Sequence, residues 1–309
     1  MTPKTDFLSA HITETTLLHP AIQAWKIFLR DQGRSHHTLK AFIADLNLLE
    51  SYLPTDKQIG QITTADLENH LHWMQNEREA PCSAKTLSRR ITSIKSFFRW
   101  LFEAGVLKSN PADPIIQKPV ASRLPHALTQ KQCHDAIEAA KTIRDGAKED
   151  PRPLTLLLLV LETALKKGEC LNLMVEHLEI EDPQKAALYV RYSNPRFRYK
   201  ERRLPLSEEW VNIYKAYAKH YQIKDQVFPW SQRRLEYLLA DVAEAAKLEK
   251  NISFDSLRWT SAMIDLVNGK EPESIRQKLG ISKIQWRDVH DRLHKLAADY
   301  GYVVPSQNS

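Results

Sequence analysis

A proline-rich stretch divides the chain. Four prolines fall within residues 110–125 of a 309-residue sequence. Because proline lacks a backbone N–H donor and restricts the residue before it to extended conformations, such a stretch favours a connector over a helix or a central strand. The length also exceeds what a single hydrophobic core usually takes, so two domains are expected. We predict an N-terminal tail over 1–19, a helical domain over 20–110, a connector over 111–126 and a C-terminal domain over 127–309.

The first block has helical periodicity. Its apolar residues recur at intervals of three and four, as they do in a helix that buries one face. The clearest such helix is predicted over 83–104, and Gly105 suits its C-terminal cap. The block is therefore predicted to be all-helical. Its predicted core positions are Trp25, Leu39, Phe42, Leu46, Leu49, Leu53, Leu87, Ile91, Ile94, Phe97, Phe98, Trp100 and Leu101.

The second block combines helices with one hairpin. Its β-branched and aromatic residues over 187–192 predict a strand, Asn194-Pro195 predicts a turn, and 202–206 predicts the returning strand. The predicted fold class is therefore mainly α with a small β-hairpin or sheet. Helices are predicted after Thr129 and over 154–165, 210–221, 233–247, 256–268, 271–279 and 284–299.

Basic residues are concentrated in two segments. The formal charge is +6 and the pI about 9.0, a modest excess. Dense cation clusters in separate parts of a chain favour a polyanionic partner such as DNA. The alternative is a solvated surface, which is what most charged runs are. The clusters are Lys85, Arg89, Arg90, Lys95 and Arg99, and then Arg191, Arg196, Arg198, Lys200, Arg202 and Arg203.

Composition excludes several classes of protein. The longest apolar run, over 154–161, is too short to cross a bilayer, and no basic-then-apolar leader opens the sequence. The cysteines Cys82, Cys133 and Cys170 are odd in number and widely spaced, which indicates free thiols. We expect a cytoplasmic protein without a membrane segment, a metal or a cofactor.

Short motifs occur along both blocks. Those of the first block are Ser35-x-x-Thr38-Leu39-x-x-Phe42-x-x-Asp45-Leu46, Thr86-Leu87-x-Arg89-Arg90, Phe97-Phe98-x-Trp100-Leu101 and Asn110-Pro111-Ala112. Those of the second are Leu124-Pro125-x-x-Leu128-Thr129, Lys166-Lys167-Gly168-Glu169, Lys200-Glu201-Arg202-Arg203-Leu204-Pro205-Leu206 and Asp255-x-x-Arg258. In order and spacing they resemble the tyrosine recombinases, or phage integrases, and most closely the Xer type. The resemblance covers about residues 20–298.

The resemblance implies a two-domain clamp on DNA, with a helical core-binding domain and a catalytic domain. In the family, a tyrosine hydroxyl attacks a phosphodiester and becomes a covalent 3'-phosphotyrosine. Two arginines, with histidine or tryptophan side chains, hold the phosphate oxygens, and a lysine of the hairpin protonates the leaving 5'-oxygen. These tasks need a nucleophile, a general acid and fixed hydrogen-bond donors.

Two of the family's catalytic positions change their chemistry early in the second block. The first arginine falls on Lys166, which keeps the charge but lacks the planar fork that grips two oxygens. Counted back without gaps, the hairpin lysine falls on Phe197. A rearranged turn would instead bring Arg196, Arg198 or Lys200 to that place.

Four further positions lie near the C-terminus. Asp255 stands where the family has a histidine, and its carboxylate would repel a phosphate. Arg258 is retained, either as a phosphate ligand or as a buried ion-pair partner. Ile281 takes a histidine or tryptophan position and can donate no side-chain hydrogen bond. His290 stands where the nucleophilic tyrosine belongs.

Alternative nucleophiles carry little weight. His290 could attack phosphorus only with supporting donors that this sequence lacks, so an ordinary helix residue is the better interpretation. Tyr300 and Tyr302 lie beyond the expected helix, where they would pack or tether the C-terminus. Catalytic groups act as a unit, so several losses together predict no strand cleavage.

The sequence thus predicts a catalytically degenerate tyrosine recombinase: a DNA-binding protein that acts in site recognition or targeting, or as a partner in DNA recombination or transposition. The alternatives are a divergent active site-specific recombinase and a helical protein-interaction module. Expected partners are double-stranded DNA at the nucleoid, an active recombinase or other mobile-element proteins, and further copies of this chain on DNA. The predicted DNA contacts are Lys85, Arg89, Arg90, Lys95, Lys166, Arg196, Arg198, Lys200, Arg202 and Arg258.

Overall fold

A computed structural model describes residues 11–120 and 123–305. The chain forms two compact units, Met1–Ser122 and Arg123–Ser309, and the division falls inside the predicted connector. The first ten residues of the predicted tail lie outside the described part. Ala112 and Ile115, at the start of that connector, are buried with the core of the first unit.

The described part of the first unit is helical, as predicted. Ser35, Thr63 and Ser83 each accept a backbone N–H at the start of a helix, which satisfies donors that the helix itself cannot. The core contains the predicted aromatic residues, with Trp25 edge-on to Phe97 at 5.4 Å. The helices are α1 Leu18–Asp31, α2 His36–Tyr52, α3 Thr64–Asn76 and α4 Ala84–Glu103, and a 3-10 turn spans Ile59–Gln61.

The second unit surrounds one apolar helix. Nearly every side chain of α6 is buried, because the sequence there offers leucine on all faces. The helices α5, α8, α9 and α10 pack against it. The helices of this unit are α5 Gln130–Asp145, α6 Arg152–Thr163, α7 Lys167–Leu171, α8 Glu208–Tyr221, α9 Gln232–Ala245, α10 Phe254–Val267, α11 Pro272–Leu279 and α12 Lys283–Asp299.

A small antiparallel sheet, ordered β1-β2-β3, accompanies these helices. The predicted hairpin is present as β2 Ala187–Val190 and β3 Arg202–Pro205, with Val190 opposite Arg202. The strand β1 Leu178–Glu179 was not predicted. The connection between β2 and β3 includes a 3-10 turn over Pro195–Lys200, which we call the hairpin loop. None of the described helices is long and apolar enough to cross a membrane.

Candidate functional site

Glu169 is the centre of a cluster of charged side chains in the second unit. It is buried in the first turn of α7, where its Oε2 accepts the main-chain N–H of Lys166 at 2.8 Å. Arg202 donates from Nη1 to Oε1 at 3.1 Å and from Nη2 to Oε2 at 2.9 Å. The Tyr192 hydroxyl also donates to this carboxylate. Burial alone would raise the pKa of Glu169, but the hydrogen bonds and charge of Arg202 outweigh it and lower the pKa to about 2.

Lys166 lies at the edge of this cluster and remains partly open to solvent. Its Nζ donates to the carbonyl of Gly280 at 2.8 Å and lies 3.8 Å from Glu169 Oε1. Burial lowers the pKa of Lys166 to about 8, because the attraction of Glu169 is countered by the neighbouring cations Arg258, Arg202 and Lys200. The ammonium group of Lys166 therefore lies among three other cations and one carboxylate.

Arg258 is the retained arginine, and one of its donors is unsatisfied. Its Nη2 donates to the carbonyl of Leu279 at 3.2 Å. Its Nη1 is buried and has no hydrogen-bond partner among the described residues. Burial lowers the pKa of this guanidinium, and within residues 11–120 and 123–305 it forms no ion pair. The buried ion pair that the sequence allowed for Arg258 is formed instead by Arg202. A buried donor without an acceptor suits an anion that arrives from outside.

Gly280 contacts the ammonium group of Lys166 and the guanidinium group of Arg202. It follows α11 with φ of +59°, a left-handed conformation that glycine adopts without strain. A Cβ atom at this position would lie 2.5 Å from Arg202 Nη1. The positive φ and the close approach of the Arg202 guanidinium therefore both favour glycine at this position.

Phe197, the residue that gapless counting aligns with the family's general-acid lysine, lies in the hairpin loop. Phe197 is partly exposed and contacts the Tyr192 ring at 5.9 Å. Lys200 Nζ lies 4.7 Å from the centre of the Phe197 ring. Of the three alternatives to Phe197, Lys200 is the one whose charge lowers the pKa of Lys166, whereas the side chain of Arg198 is exposed. The structure thus brings Lys200 toward the cation cluster.

The α12 helix carries His290 and His294 on one face. Their Nε2 atoms are 3.2 Å apart, and the Trp286 ring lies 5.2 Å from that of His290. Burial, and then the charge of His294, lowers the pKa of His290. His290 thus packs against Trp286 and His294 on its own helix.

Tyr300 and Tyr302 are engaged elsewhere. The Tyr300 hydroxyl donates to the carbonyl of Ala127 at 2.7 Å. The Tyr302 hydroxyl accepts the backbone N–H of Gln130 at 3.0 Å. Both rings pack with the buried cluster that includes Leu293. The two tyrosines therefore tether the segment after α12, which was the expectation from the sequence.

Asp255 and Ile281, the other two residues that differ from the family's pattern, make contacts within the fold. Asp255 is exposed in the first turn of α10, where the positive end of the helix dipole stabilises a carboxylate. Its charge partly sustains the pKa of Arg258 against burial. Ile281 packs on the cluster that contains Leu279, and its carbonyl accepts Arg276 Nη1 at 2.6 Å. Neither side chain offers a donor to a phosphate.

In the first unit, a buried carboxylate engages two of the predicted DNA contacts. Asp45 accepts hydrogen bonds from Arg89 and from Ser93, the latter at 2.7 Å, and lies 3.6 Å from Arg90 Nε. The side chain of Arg89 is still 41% exposed, while that of Arg90 is 14% exposed. Lys95 Nζ donates to a backbone carbonyl at 3.3 Å.

The predicted contacts thus differ in how available they are. Lys85 and Arg198 are exposed and could reach a phosphate directly, whereas the exposed Arg89 is already paired with Asp45. Arg202 is only 8% exposed, so a DNA contact there would require its pair with Glu169 to open. Sequence reasoning missed Glu169 and Asp45 as organising groups. The signal for Glu169 was its position three residues after Lys166, where a glutamate can cap a helix.

Comparisons with known proteins agree with this description. Residues 22–105 match the family model "Phage integrase, N-terminal SAM-like domain". A tyrosine recombinase, XerD of Listeria innocua, is 23% identical over 280 residues, which cover 86% of this chain and 91% of the relative. The predicted resemblance to Xer recombinases is therefore confirmed.

Two solved structures show the same fold. A lambda integrase dimer bound to a COC' core site superposes with a TM-score of 0.70 at 16% identity, covering 94% of this chain and 81% of that one. The XerH site-specific recombinase, in a post-cleavage complex with its palindromic difH substrate, gives a TM-score of 0.70 at 15% identity, covering 92% and 82%. The predicted two-domain, mainly helical tyrosine recombinase fold is confirmed.

Proposed function

From the homology of this chain to the Xer tyrosine recombinases, whose two-domain fold it has, we propose that it binds duplex DNA without cleaving it. The observation that carries this proposal is a contrast within the second unit. Lys166 is a partly exposed cation, and the buried Nη1 of Arg258 is a donor that a phosphate would satisfy once this site opens to it. The α12 helix, in contrast, contains no tyrosine between Lys283 and Asp299.

Phosphate binding supports the first half of the proposal. The orphan guanidinium donor gains an acceptor when a phosphate oxygen arrives, and the repulsion among the clustered cations falls at the same time. Exposed Arg198 and Lys85 add charge that acts on any DNA sequence. Such contacts set affinity and position, whereas a sequence preference would need contacts with base edges.

The chemistry of cleavage supports the second half. His290 replaces the nucleophile, Ile281 replaces a phosphate donor, and Phe197 replaces the general acid by gapless counting. Tyr300 and Tyr302, the tyrosines that a shifted register would recruit, form hydrogen bonds to Ala127 and Gln130. Because catalytic groups lose their effect together, restoring one of them would not restore the reaction.

A nicked suicide substrate, which traps covalent intermediates, tests the absence of cleavage. We expect no covalent adduct with the wild-type chain or with the single variant His290→Tyr. An adduct formed by the wild type would establish the alternative, a divergent active recombinase, which Arg258 and the nearby Lys200 favour. Its loss in His290→Ala or in Tyr300→Phe would then identify the nucleophile.

Salt dependence tests DNA binding. We expect the logarithm of the duplex association constant to fall linearly with the logarithm of salt concentration, and Arg198→Ala to reduce that slope by about one. Arg144→Ala is the matched control, since Arg144 is paired with Asp145 at 2.6 Å and should leave the slope unchanged. No binding to any duplex would favour the protein-interaction module.

Within this function, the protein would recognise or target a DNA site at the nucleoid, or complete an assembly with an active recombinase of a mobile element. Further copies of the chain on adjacent sites are part of the same proposal. Selection of bound fragments from a random duplex pool would identify the site. A pool that returns no shared sequence would limit the role to non-specific binding.

A further inference from the structure

Aromatic and basic side chains alternate on the hairpin loop. Its sequence from residue 196 is Arg-Phe-Arg-Tyr-Lys, in a 3-10 turn between β2 and β3. Phe197 is 38% exposed and Tyr199 is 67% exposed. Each ring could bury a large area against a partner. Their exposure therefore indicates that a binding partner covers them.

A cation contacts both rings, and Tyr199 also lines a cleft. Lys200 Nζ is 4.7 Å from the Phe197 ring centre and 5.2 Å from that of Tyr199. Among the described residues, no aromatic ring packs on Tyr199. Tyr199 and Lys200 line an open cleft of about 620 Å³, a size typical of ligand sites. Of its acidic residues, Glu201 and Asp265 are themselves paired with cations, Arg191 and Lys278.

Charge complementarity selects the partner. Arg198 and Lys200 flank the exposed rings, and few acidic residues lie near them in sequence. A partner that offers both a π-face and an anionic backbone satisfies the two kinds of side chain at once. Nucleic acid has this chemistry, and stacking of a base on an aromatic side chain contributes about 1–3 kcal/mol.

We propose that Phe197 and Tyr199 form a base-stacking platform that recognises DNA with an unpaired base. Within an uninterrupted duplex, neighbouring bases cover both faces of every base, so the rings can stack only where the duplex is interrupted. This inference rests on the proposed DNA-binding function and names the form of DNA that the loop prefers. In this proposal, Phe197 stacks on a base, whereas the family's lysine that gapless counting aligns with it donates a proton.

The experiment compares an uninterrupted duplex with the same duplex carrying a one-nucleotide gap in one strand. Fluorescence anisotropy at a single salt concentration gives both affinities. The gapped probe has fewer phosphates, so electrostatics alone predicts weaker binding. We expect the wild type to bind the gapped probe roughly 5- to 100-fold more tightly, which corresponds to one stacked base. Equal or weaker binding would overturn the inference.

Two variants and a control assign the preference to the ring. Tyr199→Leu should remove most of it, and Tyr199→Phe should keep it. Tyr237→Leu is the matched control, since Tyr237 is 46% exposed and has Arg233 5.3 Å above its ring, but lies on α9. An equal loss on both probes in Tyr199→Leu would mean that the ring contacts only the backbone, which contradicts stacking. Failure to bind either probe would overturn the proposed function itself, whereas tight binding without a gap preference would overturn only this inference.

Discussion

Arg202 and Glu169 form a buried two-point ion pair, with side chains 8% and 4% exposed. The pair joins β3 to the start of α7, and Arg202 Nε extends the connection to the carbonyl of Lys278 at 3.0 Å. Breaking a buried pair by removing one charge leaves the other uncompensated in a medium of low dielectric constant. The position of the hairpin therefore depends on this carboxylate.

Glu169→Gln should lower the free energy of unfolding by about 3–5 kcal/mol, because Arg202 would stay buried without a counter-charge. Urea unfolding measures this change. The control is Glu179→Gln, whose partner Arg203 is 47% exposed at 3.2 Å, and we expect a change within about 1 kcal/mol there. Equal effects in the two variants would show that the buried pair does not stabilise the fold.

Gly280→Ala should destabilise the second unit more than Gly301→Ala does. Both glycines have positive φ, at +59° and +74°, so each alanine costs about 1–2 kcal/mol in backbone strain. Only at Gly280 would the new Cβ meet the Arg202 guanidinium, while at Gly301 no atom of the described residues lies within 4 Å. Thermal unfolding of the two variants compares them, and an equal fall in Tm would contradict the close approach.

Duplex affinity should fall as the pH rises from 7 to 9. The pKa of Lys166 is lowered to about 8 by burial, so its ammonium group is charged below that pH and loses its proton above it. Lys166→Arg keeps a cation throughout this range and should flatten the dependence. Lys85→Arg, at an exposed position, should leave the wild-type dependence in place. Anisotropy titrations at constant salt measure it, and a wild-type affinity independent of pH would exclude Lys166 from the interface.

His70 should make the first unit sensitive to acid. It is fully buried between the rings of Tyr52 and Trp73, and neither ring nitrogen has a partner among the described residues. Burial, with the charge of Arg90, lowers its pKa from 6.5 to about 4. The unfolded state therefore binds the proton more readily, so stability is complete above about pH 6.5 and falls as the pH drops toward 4, by up to about 3 kcal/mol.

His70→Phe should remove most of this acid sensitivity, as followed by urea unfolding between pH 4.5 and 7. The matched control is His72→Gln, on the same helix but with a side chain 63% exposed, which should retain the wild-type slope. A slope that persists unchanged in His70→Phe would assign the sensitivity to another group.

Local patterns were sufficient for the longer helices and for the hairpin, but the short helix α7 Lys167–Leu171 was not predicted. The periodicity that predicted a helix over 83–104 matches α4, and the residues of β2 and β3 lie within the two predicted strands. β1 has only two residues, too few to show an alternating pattern. Its existence depends on pairing with β2 rather than on its own sequence.

Charge pairing was beyond what the sequence could predict. Arg202 and Glu169 are 33 residues apart, and Arg89 and Asp45 are 44 apart. The sequence alone does not show whether a basic side chain in a cluster faces DNA or a buried carboxylate. Only tertiary packing decides between the two, so the list of predicted DNA contacts contained both kinds of residue.

The hydrogen bonds of Tyr300 and Tyr302 connect the segment after the last helix to the residues at and just before the start of the first helix of the second unit. The segment after the last helix is fastened to main-chain atoms of Ala127 and Gln130, which precede it by 173 and 172 residues. Neither end of the unit can fray without breaking contacts made by the other. We therefore expect these two segments to open together in local unfolding, so that hydrogen exchange at one would report on the other.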